Sequence, residues 1–158
     1  MKNNYEILLQ RKKLGKKSFA VLIDPDKTEK LPALLEIAKK FPPDFFLVGG
    51  SFLSNGNLEK CMLQIRSHSE IPIFLFPGNV LQISSSADAL LLLSVISGRN
   101  PELLIGAHVA AAEKIRASNL EIIPTGYLLI ESGSPTTVHL ISKTEPIPRT
   151  EVSLAIRS

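Results

Sequence analysis

The sequence predicts an α/β protein of the parallel-barrel type, (β/α)8 in plan but with only about five βα units in its 158 residues. Three observations lead there. Short apolar runs alternate with segments whose apolar residues recur at helical spacing, the pattern of βα repeats. The runs are continuously apolar rather than alternating, as strands covered on both faces require. No Gly-x-Gly-x-x-Gly follows the first run, so an open dinucleotide-binding sheet loses support. A complete barrel takes about 250 residues, so one incomplete domain is expected over 1–158.

The elements follow in order. A polar, basic helix over about 4–14 leads into a strand at 19–23. Leu31, Leu34, Leu35 and Ala38 recur at helical spacing, with Thr28 as the cap ahead of them. Pro42-Pro43 stops that helix before a strand at 45–48. A helix over about 57–67 carries Leu58, Met62 and Ile65, and a strand at 71–76 is closed by Pro77-Gly78-Asn79. The fourth strand is 89–93, after which Pro101 opens a helix, a position where a missing N–H costs nothing. The fifth is 121–130, interrupted by Pro124-Thr125-Gly126.

With 44% apolar and 21% charged residues the chain is globular rather than disordered. A net charge of +3 and a pI near 9.1 come largely from Arg11, Lys12, Lys13, Lys16 and Lys17. This cluster reads first as a solvated helix face. No aromatics interleave with it as a nucleic-acid surface would want, so nucleic acid is not an expected partner. A transient contact with an anionic membrane surface is the most it suggests. The single Cys61 excludes an internal disulfide, fits a reducing compartment and reads as a packed thiol beside Met62. The first residues are polar, without the pattern of a signal peptide, and the most apolar run, 89–96, is far short of the ~20 residues of a membrane helix. A cytoplasmic location is expected.

In parallel α/β folds chemistry collects at the carboxyl ends of strands. The first strand ends in Asp24-Pro25-Asp26-Lys27 and the second in Gly49-Gly50-Ser51. Neighbouring strands lie about 5 Å apart, so Asp24 and Ser51 could reach one ion. Mg²⁺ favours hard oxygens and leaves positions for phosphate oxygens. Gly49 and Gly50 leave room for a large anion and offer N–H donors. An ordinary βα turn, with an aspartate capping a helix and the glycines making a bend, stands beside that reading with equal weight. Asp26 most simply serves a helix start, and Lys27 is a weak phosphate candidate. Arg99 is the best cation for an anionic ligand, with pairing to Glu102 the alternative. Tyr127 would shape an apolar slot, bond a ligand or serve structure alone. His68, His108 and His139 lack metal-site spacing, so zinc is not expected. No catalytic acid, base or nucleophile is identified.

Taken together, Ile23-Asp24-Pro25-Asp26-Lys27, Val48-Gly49-Gly50-Ser51, Leu75-Phe76-Pro77-Gly78-Asn79, Ser97-Gly98-Arg99-Asn100-Pro101, Leu104-Ile105-Gly106-Ala107-His108 and Ile123-Pro124-Thr125-Gly126-Tyr127 form an ordered set. Pro135-Thr136-Thr137-Val138 and Pro146-Ile147-Pro148-Arg149 extend it. The set resembles the geranylgeranylglyceryl phosphate synthase, or PcrB-like, family from about Phe19 to Arg149. The resemblance implies a TIM-barrel prenyltransferase using Mg²⁺. It would move a geranylgeranyl group from its diphosphate to sn-glycerol 1-phosphate in ether phospholipid biosynthesis. Asp24 and Ser51 would be its metal-coordinating pair, and leucines at strand ends and on helices would line a groove for the prenyl tail. Some members using another prenyl chain carry lysine two residues before the metal aspartate. Leu22 stands there, which points to the geranylgeranyl-type branch.

The glycine-rich loops and the acidic residue of strands six to eight that grip glycerol phosphate in the family are not within these 158 residues. Residues 150–158 do not visibly continue the pattern. The expectation is therefore a chain truncated before its last strands, with little transferase activity alone and with unpaired edges that favour a homo-oligomer. Two other functions compete: another Mg²⁺-dependent enzyme acting on a phosphate ester, and an inactive half-barrel that only binds phosphate ligands or a partner chain.

Overall fold

The computed structural model describes residues 3–50, 53, 57–79, 82–98 and 100–157. Five parallel strands, β1 (Ala20–Ile23), β2 (Phe45–Val48), β3 (Ile73–Leu75), β4 (Ala89–Val95) and β5 (Glu121–Tyr127), lie side by side in chain order. The order never reverses, so the sheet lacks the switch point of a doubly wound fold and curls one way, as part of a barrel does. Register is continuous: Ala20 pairs with Phe45, Phe46 with Ile73, Phe74 with Ala89, and Ala89 with Glu121.

Alternation along the strands divides the apolar residues between two faces. Val21, Ile23, Phe46, Val48, Ile73, Leu75 and Leu90 face α2 (Leu31–Lys40) and α3 (Leu58–Arg66). Leu31, Leu35, Ala38, Cys61, Met62 and Ile65 fill the other side of that layer, all buried. The inner face holds Phe45, Leu47, Phe74, Ala89, Leu91 and Ile123, with Phe45 stacked on Phe74 at 4.5 Å. Leu22 lies between Val21 and Ile23 on the opposite side of the strand and is 55% exposed.

The first helix, α1 (Asn4–Lys13), sends Leu8 against the inner-face cluster and so lies across the amino ends of the strands. Asn3 caps it, its Oδ1 accepting from the Glu6 N–H at 3.0 Å. The carboxylate of Glu121, first residue of β5, accepts from the N–H groups of Asn4 (2.7 Å) and Tyr5 (2.8 Å) and from Asn4 Nδ2 (2.9 Å). Asn57 caps α3 through the Lys60 N–H.

Several expectations needed correction. Thr28 does not cap α2. Its carbonyl accepts from the Leu31 N–H, Lys30 occupies the cap position without a side-chain bond, and Pro32 sits in the first turn. Pro101 opens only a 3₁₀ turn, Pro101–Leu103, behind Asn100, whose Oδ1 accepts from the Glu102 N–H. The following helix, α4 (Gly106–Ser118), begins three residues later and ends at Asn119 in the left-handed conformation. Two short helices were not anticipated, α5 (Thr137–Ser142) and α6 (Val152–Arg157). Just past β5, the Leu129 carbonyl and the Glu131 N–H pair with Ile147, covering part of an edge expected to be bare. The described residues of the crossover from β3 to β4 contain no helix.

Candidate functional site

The carboxyl ends of β1, β2 and β3 meet at one mouth. Asp24 directly follows β1, and the Gly49 N–H donates to the Ile23 carbonyl at 3.1 Å, which sets the β2 terminus beside it. The Asp24 side chain is 30% exposed. Its Oδ1 accepts from the Asp26 N–H at 3.1 Å, and its Oδ2 lies 3.3 Å from Lys27 Nζ, on a lysine side chain itself 79% exposed. The Asp26 backbone thus closes a turn on Asp24 rather than starting a helix, and Lys27 points at that carboxylate. A Cβ on Gly50 would sit 3.2 Å from Asp24 Oδ1, so the missing side chain is the space in front of the acid.

Backbone fit is tight. A Cβ on Gly49, whose φ is +153°, would fall 2.0 Å from the Phe76 carbonyl oxygen at the end of β3. Only glycine lets the two strand ends approach this closely. Gln82 holds the arrangement. Buried to 2% exposure, it accepts through Oε1 from the N–H groups of Gly78 (3.2 Å) and Gly50 (3.4 Å), and donates through Nε2 to the Gly50 carbonyl (3.0 Å). One amide therefore fixes the loops after β2 and β3 together. Nothing in the spacing of the sequence singled it out. A polar residue between two strands was the available signal.

Beside this mouth lies a mostly apolar cavity of about 140 Å³. Its walls include Phe76 and Pro77 from the β3 loop, Leu93 of β4, Ala111 of α4, Tyr127 of β5 and Ile141 of α5. Tyr127 meets Phe76 edge-on at 5.9 Å. His108 is a wall residue and a fastener, its Nε2 lying 2.8 Å from the Leu93 carbonyl. Behind the mouth, burial and the nearby Asp24 charge push the Cys61 thiol up to about 11, so it is an inert packed thiol.

Of the residues singled out in the sequence, Asp24, Gly49 and Gly50 converge here and Tyr127 lines the adjoining cavity. Ser51 and Arg99 lie outside the described residues. Among the described residues no three His, Cys, Asp or Glu side chains gather as a ready-made metal cage. No helix among them is long and apolar enough to cross a membrane.

The sequence pattern of the PcrB family matches residues 11–156, a stretch that runs into α6 and takes in most of the segment after Arg149. The chain is 50% identical over 151 residues to geranylgeranylglyceryl phosphate synthase of Spirosoma linguale, covering 94% of this chain and 61% of that one. It is 49% identical over 156 residues to the Chitinophaga pinensis protein of the same name, at 96% and 61% coverage. The crystal structure of (S)-3-O-geranylgeranylglyceryl phosphate synthase from Thermoplasma acidophilum, in complex with sn-glycerol-1-phosphate, superposes with a TM-score of 0.87 at 28% identity. That superposition covers 99% of this chain and 64% of the other. The chain thus spans about 61% of the length of these curated relatives.

Proposed function

The chain belongs to the PcrB family, and from that premise we propose that it is the diphosphate-binding portion of a prenyltransferase. The substrates are geranylgeranyl diphosphate and sn-glycerol 1-phosphate. The allylic C–O bond to diphosphate breaks, an ether C–O bond to the glycerol hydroxyl forms, and that hydroxyl loses its proton. The observation that carries the reading is Asp24, a half-open carboxylate facing the empty side of Gly50 next to an apolar cavity.

This donor set fits Mg²⁺, which is held in phosphate-transfer sites by one or two protein oxygens while substrate phosphates complete the shell. Asp24 would hold the ion, with Ser51 as the second ligand read from sequence. When bound, Mg²⁺ neutralises charge growing on the departing diphosphate. The chain's own contributions are positional. Gly49 and Gly50 leave room for the phosphates, and Gln82 keeps the two loops at fixed separation. The cavity beyond Phe76 takes the first isoprene units and excludes water from the reacting carbon. Leu22, where a lysine would mark another chain length, supports the geranylgeranyl branch.

The test has two arms. Calorimetric titration of this chain with geranylgeranyl diphosphate should show Mg²⁺-dependent binding that EDTA removes and that Asp24→Ala weakens at least about tenfold, the loss of one charge-assisted metal contact. The Spirosoma linguale relative, assayed with radiolabelled glycerol 1-phosphate, should give lipid-extractable product that the equivalent alanine variant abolishes. Diphosphate binding indifferent to both EDTA and Asp24→Ala would overturn the assignment.

A further inference from the structure

At the amino ends of the strands, opposite the mouth, is a surface of unusual composition. Lys12, Lys13, Lys16 and Lys17 surround Leu14, which is 69% exposed. No aromatic residue lies within this cluster, but Phe19 follows it in the chain and the fold brings Phe41 beside it. Arg11 is the clamp. Its Nε donates to Ser18 Oγ at 2.8 Å, and a terminal nitrogen pairs with Asp44 at 2.9 Å. Asp44 in turn accepts from the Phe19 N–H at 2.7 Å, while its own N–H donates to the Phe19 carbonyl at 2.8 Å. The segment 14–19 and the segment 41–44 are therefore stitched together. Phe19 is 63% exposed, and Phe41, three residues before Asp44, is 75% exposed. Lys39 and Lys40 end α2 directly before Phe41.

The charge balance is one-sided. Two acids beside the cluster are already matched, Asp44 by Arg11 and Glu36 by Lys39 at 2.5 Å. Lys12, Lys13, Lys16, Lys17 and Lys40 make no ion pair among the described residues. Five unmatched ammonium groups around protruding leucine and phenylalanine side chains suit a surface that is anionic outside and apolar a few ångströms down. An anionic bilayer has that layering. A second copy of the chain meeting this face about a two-fold axis would set like charges against one another.

We propose that this face, centred on Leu14, Phe41 and the surrounding lysines, docks the protein reversibly on an anionic phospholipid bilayer. The inference rests on charge and exposure and is independent of the prenyl-transfer reading. Docking would leave the opposite, carboxyl-end mouth turned to the aqueous side.

Vesicle flotation of the whole chain tests it, since aggregates do not float. Binding is expected to vesicles containing phosphatidylserine and not to phosphatidylcholine alone, and to weaken as salt shortens the screening length. Replacing Lys12, Lys13, Lys16 and Lys17 by glutamine should weaken it at least about a hundredfold, at roughly fivefold for each lysine. The double variant L14S/F41S keeps every charge and should still lose about tenfold, from apolar area no longer buried in the bilayer. Circular dichroism checks that each variant folds as the parent does. Equal binding to neutral vesicles, or none to anionic ones, overturns the proposal. So does charge-dependent binding that L14S/F41S leaves intact and that single-stranded nucleic acid matches, which would mark a plain polycation. A dimer that L14S/F41S dissolves, without flotation, overturns it in favour of self-association.

Discussion

The two ends of the sheet use carboxylates in opposite ways. At the amino ends, Asp44, Asp88 and Glu121 stand just before or at the start of β2, β4 and β5, and each is consumed by structure. Asp44 holds Arg11 and the Phe19 N–H. Asp88 pairs with Arg66 and accepts from the Ile73 N–H at 2.7 Å. Glu121 takes three donors from α1. At the carboxyl ends Asp24 has, among the described residues, one backbone N–H and one exposed lysine. An acid with few such partners beside a side-chain-free backbone suits the ligand role proposed for it. An acid whose oxygens are already occupied is a fastener. The division matches the separation of stability and activity between the two faces of parallel barrels.

The largest expected effect lies where the mouth is tightest. Gly49→Ala forces a Cβ into the Phe76 carbonyl, which is backbone and cannot swing aside. It should cost about 3 kcal/mol or more in urea unfolding, and a loss below about 1 kcal/mol would show that the strand ends are not rigidly apposed. The middle effect tests the comparison itself. Asp88→Ala strands a partly buried guanidinium and a strand N–H, and Glu121→Ala frees the start of α1, so each should cost about 2 kcal/mol. Asp24→Ala should cost under about 1 kcal/mol, because its ion pair is exposed and weakly stabilising. If all three fell equally, the distinction between fasteners and ligand would be lost.

The last effect is electrostatic and shows only at alkaline pH. The Cys61 thiol is raised from 9.0 to about 11 by burial first and by Asp24 second. A raised pKa contributes stability in full below the unfolded value, and that stability is lost as pH climbs through the folded one. Stability should thus fall between about pH 9 and 11, where the unfolded chain gives up this proton first. Cys61→Ala should remove that component, and Asp24→Asn should bring the native thiol pKa slightly down in an alkylation titration. No movement with Asp24→Asn would mean that the acid does not face the thiol.

Much of the fold was legible because its strand cores are continuous apolar runs. The expected runs 45–48 and 89–93 lie within β2 and β4 as found, and 19–23 overshoots β1 by one residue. The helical spacings of Leu31, Leu35 and Ala38 and of Met62 and Ile65 predicted the buried faces of α2 and α3. What failed was local. Thr28 has a capping side chain, yet the chain turns through Lys30 with Pro32 fixing the first turn. Pro101 marks a helix start correctly in kind, but a 3₁₀ turn intervenes before Gly106. The convergence of Asp24 with Gly49 and Gly50 could be read because adjacent parallel strands end together. Gln82 could not, since two of its three bonds go to the backbone of Gly50, 32 residues away, and leave no pattern of spacing. The same holds for Phe41, brought beside the basic cluster only by the bond network of Asp44.

The unreversed succession of strands has a kinetic corollary. Each new strand docks on the one made just before it, so no strand has to wait for a distant late partner, and only α1 gains contacts, those to Glu121, that come with β5. Loop-closure entropy is then met in small, repeated instalments. A nascent chain leaving the ribosome could add layer upon layer in the order of translation, and its helix-covered first layers would already be sheltered from misassociation while synthesis continued.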